Sequence, residues 1–357
     1  MSLKLQNLRK QFEEEELDAI LISSPENRRY MSGFTGSAGW LLISADDATL
    51  ATDFRYIEQA GNQAPDFQIY RIQRGLGWLP EWTAEHNVKR VGFESQDVTI
   101  SVHQALLKAI EETENSNHPE LIPTSGIVEK LRVYKDADEL MLLTEAIRIA
   151  DEAIDEVAPR IEPGVTEESI AWELEKAMRE RGAEMISFDT IVGAGPNGAL
   201  PHHRADETVV KPNDAIVIDM GAKYQGYCSD LTRTVFVGEP DDRFRRIYDI
   251  VLKAQLAAEE QVTAGMTGKE VDAIAREIIA DAGHGDDFGH SLGHGVGLAV
   301  HEYPHVGPTA EEDVLEDGMV FTIEPGIYLP GWGGVRIEDI VVLEDGKARV
   351  ISKAKKL

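Results

Sequence analysis

Acidic residues inside two predicted hairpins constrain the possible fold of this chain more than any other feature. The first hairpin spans residues 214–234. Its apolar first strand ends at Asp219, a turn bracketed by glycines follows, and an alternating second strand carries Asp230. A hairpin folded about Tyr224 and Gln225 places the two carboxylates directly opposite each other. Directly opposed residues have Cβ atoms about 4.5–5.5 Å apart, and two like charges there are destabilising. The pairing therefore predicts either a cation between the carboxylates or a proton that they share.

The same arrangement occurs a second time near the C-terminus. A predicted strand ends at Glu324, a loop rich in Pro and Gly follows, and the return strand carries Glu338. Folding about Gly331 places these carboxylates opposite each other, although bulges in Gly-rich turns can shift such a register. A Gly-rich segment between the two hairpins contains His294. Two acid pairs with one imidazole suit Mn, Fe, Co or Zn, and more than one ion.

Composition and charge narrow the classes of function. The 357 residues include 35 basic and 64 acidic side chains, which gives a formal net charge of −29. This excess of negative charge disfavours nucleic acid and anionic membranes as partners. No apolar run approaches the roughly 18 residues of a membrane span, and the polar N-terminus does not resemble a signal peptide. Cys228 is the only cysteine, which excludes an internal disulfide and favours a cytoplasmic location.

The chain is long enough for two domains, each with its own core. Helical and strand patterns alternate through the first part, which predicts an α/β unit. Asp136 and Glu139 have the spacing of a capping box and are expected to open a long helix just after the boundary. We therefore expect an N-terminal domain of residues 1–130 and a C-terminal domain of residues 131–357.

The C-terminal part contains an internal repeat. Residues 164–170 resemble residues 265–271, which lie 101 positions later, and each copy is expected to open an amphipathic helix. Two related halves that face each other would form a cleft with sheet from both sides on its floor. This arrangement suits a binuclear site better than a solenoid, because only two copies are present.

Residues 193–198 fit the dinucleotide-binding pattern G-x-G-x-x-G, but the context disfavours that interpretation. The pattern should open a helix, whereas Pro201 and the turn-rich sequence around it resist one. We interpret the segment as a loop that presents His202. Three other histidines of this region are interpreted as surface residues: His203, His284 and His305.

Each of the four acids, taken singly, would ordinarily be a solvated surface charge. Their positions within half-buried strands change that interpretation, because buried carboxylates must be paired, protonated or bound to metal. Arg336 could compensate one of these charges but not four. Asp339 has the opposite strand parity from Glu338, so we place it outside the site. His202 and His301 are candidates to bind a developing oxyanion or to transfer a proton.

These residues together resemble the ligand set of the pita-bread metallopeptidases. The resembling set, in chain order, is Asp219, Asp230, His294, Glu324 and Glu338. The phrases around these residues, such as Ile-Glu-Pro-Gly-Ile-Tyr at 323–328, are similar to the proline-specific branch, and residues 1–130 resemble the creatinase-type N-terminal domain. The resemblance implies an α+β protein, in which a creatinase-type N-terminal α/β domain precedes a pseudo-twofold pita-bread catalytic domain.

The resemblance also implies two divalent metal ions, with Mn²⁺ expected and Co²⁺, Zn²⁺ or Fe²⁺ as alternatives. Asp219 would chelate one ion, His294 and Glu324 would hold the other, and Asp230 and Glu338 would bridge both.

By the same resemblance, a second group of residues would act on the substrate. Glu324 would accept the proton of the attacking water, and His202 and His301 would stabilise the oxyanion and orient the substrate. His290 and Arg336 would support the site from outside the ligand set.

The implied activity is that of an Xaa-Pro aminopeptidase, which removes the first residue from peptides with proline in second position. Residues 34–39 and 53–56 resemble that enzyme more than prolidase, which is restricted to Xaa-Pro dipeptides. A third alternative is a peptide-binding relative without activity, against which the complete ligand set argues. As in the family, a homodimer is expected.

Overall fold

The structure, a computed structural model, describes residues 2–114 and 118–357. The chain divides into two compact units, residues 1–132 and residues 133–357.

The N-terminal unit is built on a mixed six-stranded sheet in the order β4-β3-β2-β1-β5-β6. The strands are β1 (Ala19–Ile22), β2 (Trp40–Ser44), β3 (Ala48–Thr52), β4 (Gln68–Arg71), β5 (Arg90–Glu94) and β6 (Glu120–Thr124). The helices are α1 (Leu3–Glu14), α2 (Pro25–Ser32), α3 (Ile57–Gln63), α4 (Trp78–Glu85), α5 (Ile100–Glu111) and α6 (Ile127–Arg132). All residues of β1 are buried, as a central strand covered on both faces requires.

The C-terminal unit combines four helices with several small sheets. The helices are α7 (Ala137–Val157), α8 (Glu167–Glu180), α9 (Asp242–Gln261) and α10 (Gly268–Asp281). Strands of the first half are β7 (Met185–Ile186), β8 (Ile191–Ala194), β9 (Ala215–Met220), β10 (Ala222–Tyr224), β11 (Tyr227–Cys228) and β12 (Leu231–Phe236). Those of the second half are β13 (Gly293–Gly295), β14 (Glu302–Val306), β15 (Val320–Ile323), β16 (Gly326–Leu329), β17 (Gly333–Arg336), β18 (Asp339–Glu344) and β19 (Lys347–Val350).

The predicted internal repeat is present in the structure. Thr166 and Thr267, which are 101 residues apart, each cap a helix of 14 residues with a capping box. Each threonine also forms an isolated β-bridge, with Val209 and Val314 respectively. Each half has its own hydrophobic core, one joining α7 and α8 to β9, the other joining α9 and α10 to β15 and β18. The two halves therefore repeat one packing unit, in which a helix pair covers a sheet.

The long helix predicted after the domain boundary begins where expected. Asp136 accepts a hydrogen bond from the Glu139 amide, and the Glu139 side chain accepts one from the Asp136 amide. The resulting helix, α7, has 21 residues, and α9 has 20. Across the described residues, none of the helices is long and apolar enough to cross a membrane.

The predicted register of the first hairpin is wrong by two residues. Thr232, rather than Asp230, lies opposite Asp219 in the antiparallel pair of β9 and β12. The cause is the turn, because Gln225 and Gly226 both have positive φ and thus occupy the two central turn positions. Since the register shifts by two residues, Asp230 keeps its side of the sheet and becomes a diagonal neighbour of Asp219.

The predicted register of the second hairpin is confirmed by the pairs that flank its two acids. Ile323 lies opposite Asp339, and Gly326 lies opposite Arg336. The ladder is interrupted between these pairs, so the second hairpin belongs to two sheets, and Glu324 lies at the interruption. Free of a regular ladder, a carboxylate there can turn towards a site rather than stand perpendicular to a sheet.

Candidate metal centre

A cavity of about 760 Å³ lies in the C-terminal unit. Its lining includes nine residues that the sequence analysis assigned to the site, namely His202, Asp219, Asp230, His290, His294, His301, Glu324, Arg336 and Glu338. Apolar side chains line it as well, among them Phe188, Ile191 and Val300. The structure therefore brings together residues that are up to 136 positions apart, from both halves of the repeat.

Hydrogen bonds from two backbone amides join the two acid-bearing hairpins. The Glu338 amide donates to Thr232 O at 3.1 Å, and the Arg336 amide donates to Thr234 Oγ1 at 3.0 Å. These bonds bring the strand ends of the first half against those of the second half, which is why their side chains enter one cavity. Within the second half, the Glu324 amide donates to Leu292 O at 2.8 Å.

Asp219 is paired on one oxygen and unpaired on the other. The Arg336 Nη2 group donates to Asp219 Oδ2 at 2.5 Å, and the Arg336 side chain is almost fully buried. Asp219 Oδ1 is buried and has no hydrogen-bond partner within the described part of the chain. A buried carboxylate oxygen without a donor is costly, so Oδ1 fits the position of a metal ligand.

Asp230 and Glu338 form the most compact part of the site with His294. One ligand atom from each of the three residues lies within 4.8 Å of the others. Burial, followed by the nearby carboxylates, raises the pKa of both Asp230 and Glu338 well above the ordinary value. The Thr232 hydroxyl donates to Glu338 Oε2 at 2.7 Å, which fixes that carboxylate. The charged forms of these two acids therefore require a cation beside them.

His294 presents one nitrogen to the carboxylates. Its Nδ1 lies 3.1 Å from Gly295 O, so Nδ1–H donates to that carbonyl and Nε2 keeps its lone pair. Burial lowers the pKa of His294 to about 4, so the ring is neutral at pH 7. The Nε2 atom lies 3.6 Å from Asp230 Oδ2 and 3.4 Å from Glu324 Oε1. A lone pair directed at two carboxylates is the arrangement of a metal-ligating histidine.

Glycine beside His294 has a packing reason. A Cβ atom on Gly293 would lie 1.9 Å from Thr322 O, so only glycine allows β13 to approach β15 this closely. The Thr322 hydroxyl then accepts from the His294 amide at 3.1 Å and donates to Glu324 Oε1 at 3.3 Å. Thr322 thus links two of the predicted ligands.

Glu324 completes the acidic set. Burial is the main cause that raises its pKa to about 8, and Arg336 opposes this rise. Its Oε1 atom lies close to His294 Nε2, although Glu324 and Asp219 are outside the three-residue group within 4.8 Å. Carboxylate oxygens with a neutral imidazole form a donor set that fits divalent ions such as Mn²⁺, Fe²⁺, Co²⁺ or Zn²⁺. The residues present therefore fit the metal site predicted from the sequence.

A chain of hydrogen bonds runs beside the carboxylates through Tyr328, which the sequence analysis did not identify. His290 Nδ1 donates to Ser291 O at 2.8 Å, so its Nε2 accepts from the Tyr328 hydroxyl, also at 2.8 Å. Arg336 Nη1 donates to the Tyr328 oxygen at 3.0 Å. Burial lowers the pKa of His290 to about 4, which keeps this ring neutral. The chain holds Arg336 in place while it binds Asp219.

His301 and His202 also line the cavity, and both are exposed. The His301 ring centroid lies 4.2 Å from that of His294. Burial lowers the pKa of His301, and the nearby Asp219 opposes this shift. His202 also lines a second cavity of about 730 Å³, which shares Pro201 and His290 with the first.

The interpretation of His203 as a surface histidine is wrong. Its side chain is 11% exposed, and its Nε2 atom lies 2.7 Å from the fully buried Glu167. No sequence signal pointed to this pair, because the two residues are 36 positions apart and belong to different elements. His305 is exposed as expected, yet it also lines the first cavity.

Asp339 lies outside the cavity, as its strand parity predicted. Its fully buried carboxylate binds Arg233 Nη2 at 2.7 Å and Lys356 Nζ at 2.6 Å. Thr232, in contrast, was missed as a site residue. Its position two residues after Asp230, on the same predicted strand face, was the signal that could have identified it.

Two family profiles together match most of the chain. The profile of metallopeptidase family M24 matches residues 141–345, and that of the creatinase/prolidase N-terminal domain matches residues 4–134.

Proteins similar to this chain carry names of proline-directed peptidases. A solved Xaa-Pro dipeptidase from Bacillus anthracis has 44% sequence identity and a TM-score of 0.95, and the match covers 99% of this chain and 98% of that one. An Xaa-Pro dipeptidase from Pyrococcus furiosus is 38% identical, over 100% of this chain and 99% of that protein. A solved X-Pro aminopeptidase from Thermotoga maritima is 38% identical with a TM-score of 0.90, and the match covers 99% of both chains.

Proposed function

Because the chain belongs to metallopeptidase family M24 and carries a creatinase/prolidase N-terminal domain, we propose that it is an Xaa-Pro dipeptidase that uses two divalent metal ions. The family and the fold class expected from the sequence are thereby confirmed. The observation that carries the proposal is the convergence of four carboxylates and one neutral imidazole in a single cavity. Sequence analysis alone favoured the aminopeptidase, whereas the relatives support the dipeptidase at least as well.

Five residues would hold the metal ions, which we expect to be Mn²⁺. Asp219 would bind one ion through its unpaired Oδ1, and His294 and Glu324 would bind the other. Asp230 and Glu338 would contact both. Two such ions would polarise the carbonyl of the residue before proline and make water nucleophilic at neutral pH.

Other residues would then bind the substrate and move protons. Burial disfavours the charged form of Glu324, so this carboxylate is suited to accept the proton of the attacking water. His202 and His301 border the cavity and would donate hydrogen bonds to the developing oxyanion. The apolar side chains of Phe188 and Val300 offer a surface for a proline ring.

One observation favours the aminopeptidase as a second candidate. The second cavity shares Pro201, His202 and His290 with the first, so residues that follow proline have space beyond these side chains. The Thermotoga maritima protein, similar over nearly its full length, carries the aminopeptidase name.

Hydrolysis of Ala-Pro and Ala-Pro-Ala, each with Mn²⁺ and with a chelator, separates the candidates. The proposal predicts Mn²⁺-dependent cleavage of Ala-Pro and no cleavage of Ala-Pro-Ala. Cleavage of the tripeptide would identify an aminopeptidase. Absence of any cleavage with Mn²⁺, Co²⁺, Zn²⁺ or Fe²⁺ would instead identify a peptide-binding relative without activity.

We further propose that the protein is a homodimer, as expected from the family resemblance. Sedimentation velocity should then give a mass of about twice the 39.4 kDa of the chain.

A further inference from the structure

Glu167 is a fully buried carboxylate outside the predicted ligand set. It lies in the first turn of α8 and accepts four hydrogen bonds. Its Oε1 atom accepts from the Ala194 amide at 2.7 Å and from Asn197 Nδ2 at 3.0 Å. Its Oε2 atom accepts from His203 Nε2 at 2.7 Å and from the Asp206 amide at 3.3 Å.

Distance alone would allow a metal ion at this cluster, because ligand atoms of Glu167, His203 and Asp206 lie within 4.8 Å of one another. The direction of the donors argues against one. Both Glu167 oxygens already face N–H groups, and two of these belong to the backbone and cannot rotate away. A cation there would face those hydrogens, so the cluster is an anchor rather than a second metal site.

The anchored segment, residues 194–206, carries His202 to the cavity. On one side of His202, Pro201 O accepts a hydrogen bond from Arg336 Nη1 at 3.3 Å. On the other side, His203 is bound to Glu167. We propose that Glu167, through His203, is a positioning residue that holds His202 at the substrate. The kinetic part of this inference rests on the proposed function.

A comparable contact occurs in the second half of the repeat. Asp272 on α10 is 2% exposed and accepts a hydrogen bond from the Leu292 amide at 3.0 Å. Asp272 also binds Arg276, which donates to His290 O at 2.7 Å. Each repeat helix thus uses a buried acid to fix a segment that carries a cavity histidine, although the two acids occupy different positions on their helices.

Glu167→Gln is the sharpest test, because the glutamine side chain has the same shape but only one acceptor oxygen. In either orientation of the amide, its NH₂ group faces a backbone N–H, that of Ala194 or that of Asp206. We expect kcat for Ala-Pro to fall about 10- to 100-fold, since a small misplacement of a substrate-contacting group costs this much. Asp151→Asn is the matched control, because Asp151 is a buried acid that does not line the cavity. Its kcat should stay within about twofold of wild type.

A double-mutant cycle separates positioning from general damage. If Glu167 acts through His202, Glu167→Gln should lower kcat by less than about twofold once His202 is replaced with Ala. Equal losses in both backgrounds would overturn the inference.

Hydrogen exchange provides a readout that needs no activity. In the metal-free protein, Glu167→Gln should speed amide exchange in residues 194–206, and Asp151→Asn should not. Unchanged exchange would refute the anchor even if the enzyme is active, whereas faster exchange in a protein that cleaves no peptide would refute only the proposed function.

Two variants of His203 test one of the four hydrogen bonds and leave Glu167 in place. His203→Leu should speed exchange in the same segment and lower kcat, and His203→Gln should recover most of both because its amide can still donate to Glu167. Equal exchange rates and equal kcat in the two variants would contradict the role given to His203.

Discussion

Replacement of Asp230 with Asn tests the metal centre through stability as well as activity. Asp230 is 5% exposed, and burial together with Glu338, Asp219 and Glu324 raises its pKa well above the ordinary value. Without metal, the ionised carboxylate therefore opposes folding. Asparagine keeps the size of the side chain and removes the charge. We expect Asp230→Asn to stabilise the metal-free protein and to abolish turnover.

The magnitude follows from the separation of the ligand atoms, which lie within 4.8 Å of one another in Asp230, His294 and Glu338. At that distance, and at an effective dielectric constant near 20, two unit charges repel by about 3 kcal/mol. The wild type avoids part of this repulsion by binding a proton, so the gain at pH 8 should be about 1–3 kcal/mol. For a unit of this size, that gain raises Tm by about 3–10 °C.

Mn²⁺ should make wild type more stable than Asp230→Asn, the reverse of their order without metal. A ligand at about 1,000 times its Kd stabilises the folded state by about 4.1 kcal/mol, more than the difference expected without metal. Wild type should gain this much in MnCl₂, whereas Asp230→Asn lacks a predicted bridging ligand and should gain little. Thermal unfolding at pH 8 measures the stability of both proteins with EDTA and with MnCl₂, and an Ala-Pro assay measures their turnover.

Asp339, the acid next to Glu338 in the second hairpin, provides the control. Asp339→Asn removes the ion pair of Arg233 and the shorter ion pair of Lys356, which keeps its pair with Glu259 at 3.6 Å. This variant should be less stable than wild type by about 3–5 kcal/mol, with and without Mn²⁺. The reasoning about Asp230 is refuted if its Asn variant is less stable than wild type in EDTA, or if that variant still hydrolyses Ala-Pro.

Three further outcomes follow from the structure. Thr232→Val removes a hydroxyl that donates to Glu338, a predicted metal ligand, so Mn²⁺ affinity measured by calorimetry should fall about 10- to 100-fold. Tyr328→Phe breaks the link between His290 and Arg336 and should lower kcat for Ala-Pro about tenfold, with normal far-UV circular dichroism. Burial raises the pKa of Asp151 to about 6 in the folded protein. As the pH rises from about 4 to 6, the unfolded chain therefore loses this proton while the folded protein still holds it, and the folded protein loses stability. We therefore expect the stability difference between Asp151→Asn and wild type, measured by urea unfolding, to depend on pH. It should favour the variant by up to about 3 kcal/mol more at pH 7.5 than at pH 4.

Local patterns were enough to identify the elements that carry the site. Strand periodicity placed Asp230 and Glu338 on the inward side, and it excluded Asp339 because alternate residues of a strand point to opposite faces. The capping box of Asp136 and Glu139 predicted where α7 begins, since a cap involves residues only three positions apart. The register of the first hairpin failed for an equally local reason, because it depends on which residues adopt positive φ.

Hydrogen bonds between residues that are distant in the chain could be identified only from the tertiary structure. Asp219 and Arg336 are 117 positions apart, and Glu167 and His203 are 36 positions apart, so no period relates them. The family resemblance predicted the ligands, yet it did not include the Thr232 hydroxyl that binds Glu338 or the Tyr328 hydroxyl that binds Arg336. Periodicity reports which face of an element a side chain occupies, whereas its hydrogen-bond partner is decided by how elements that are distant in the chain pack together.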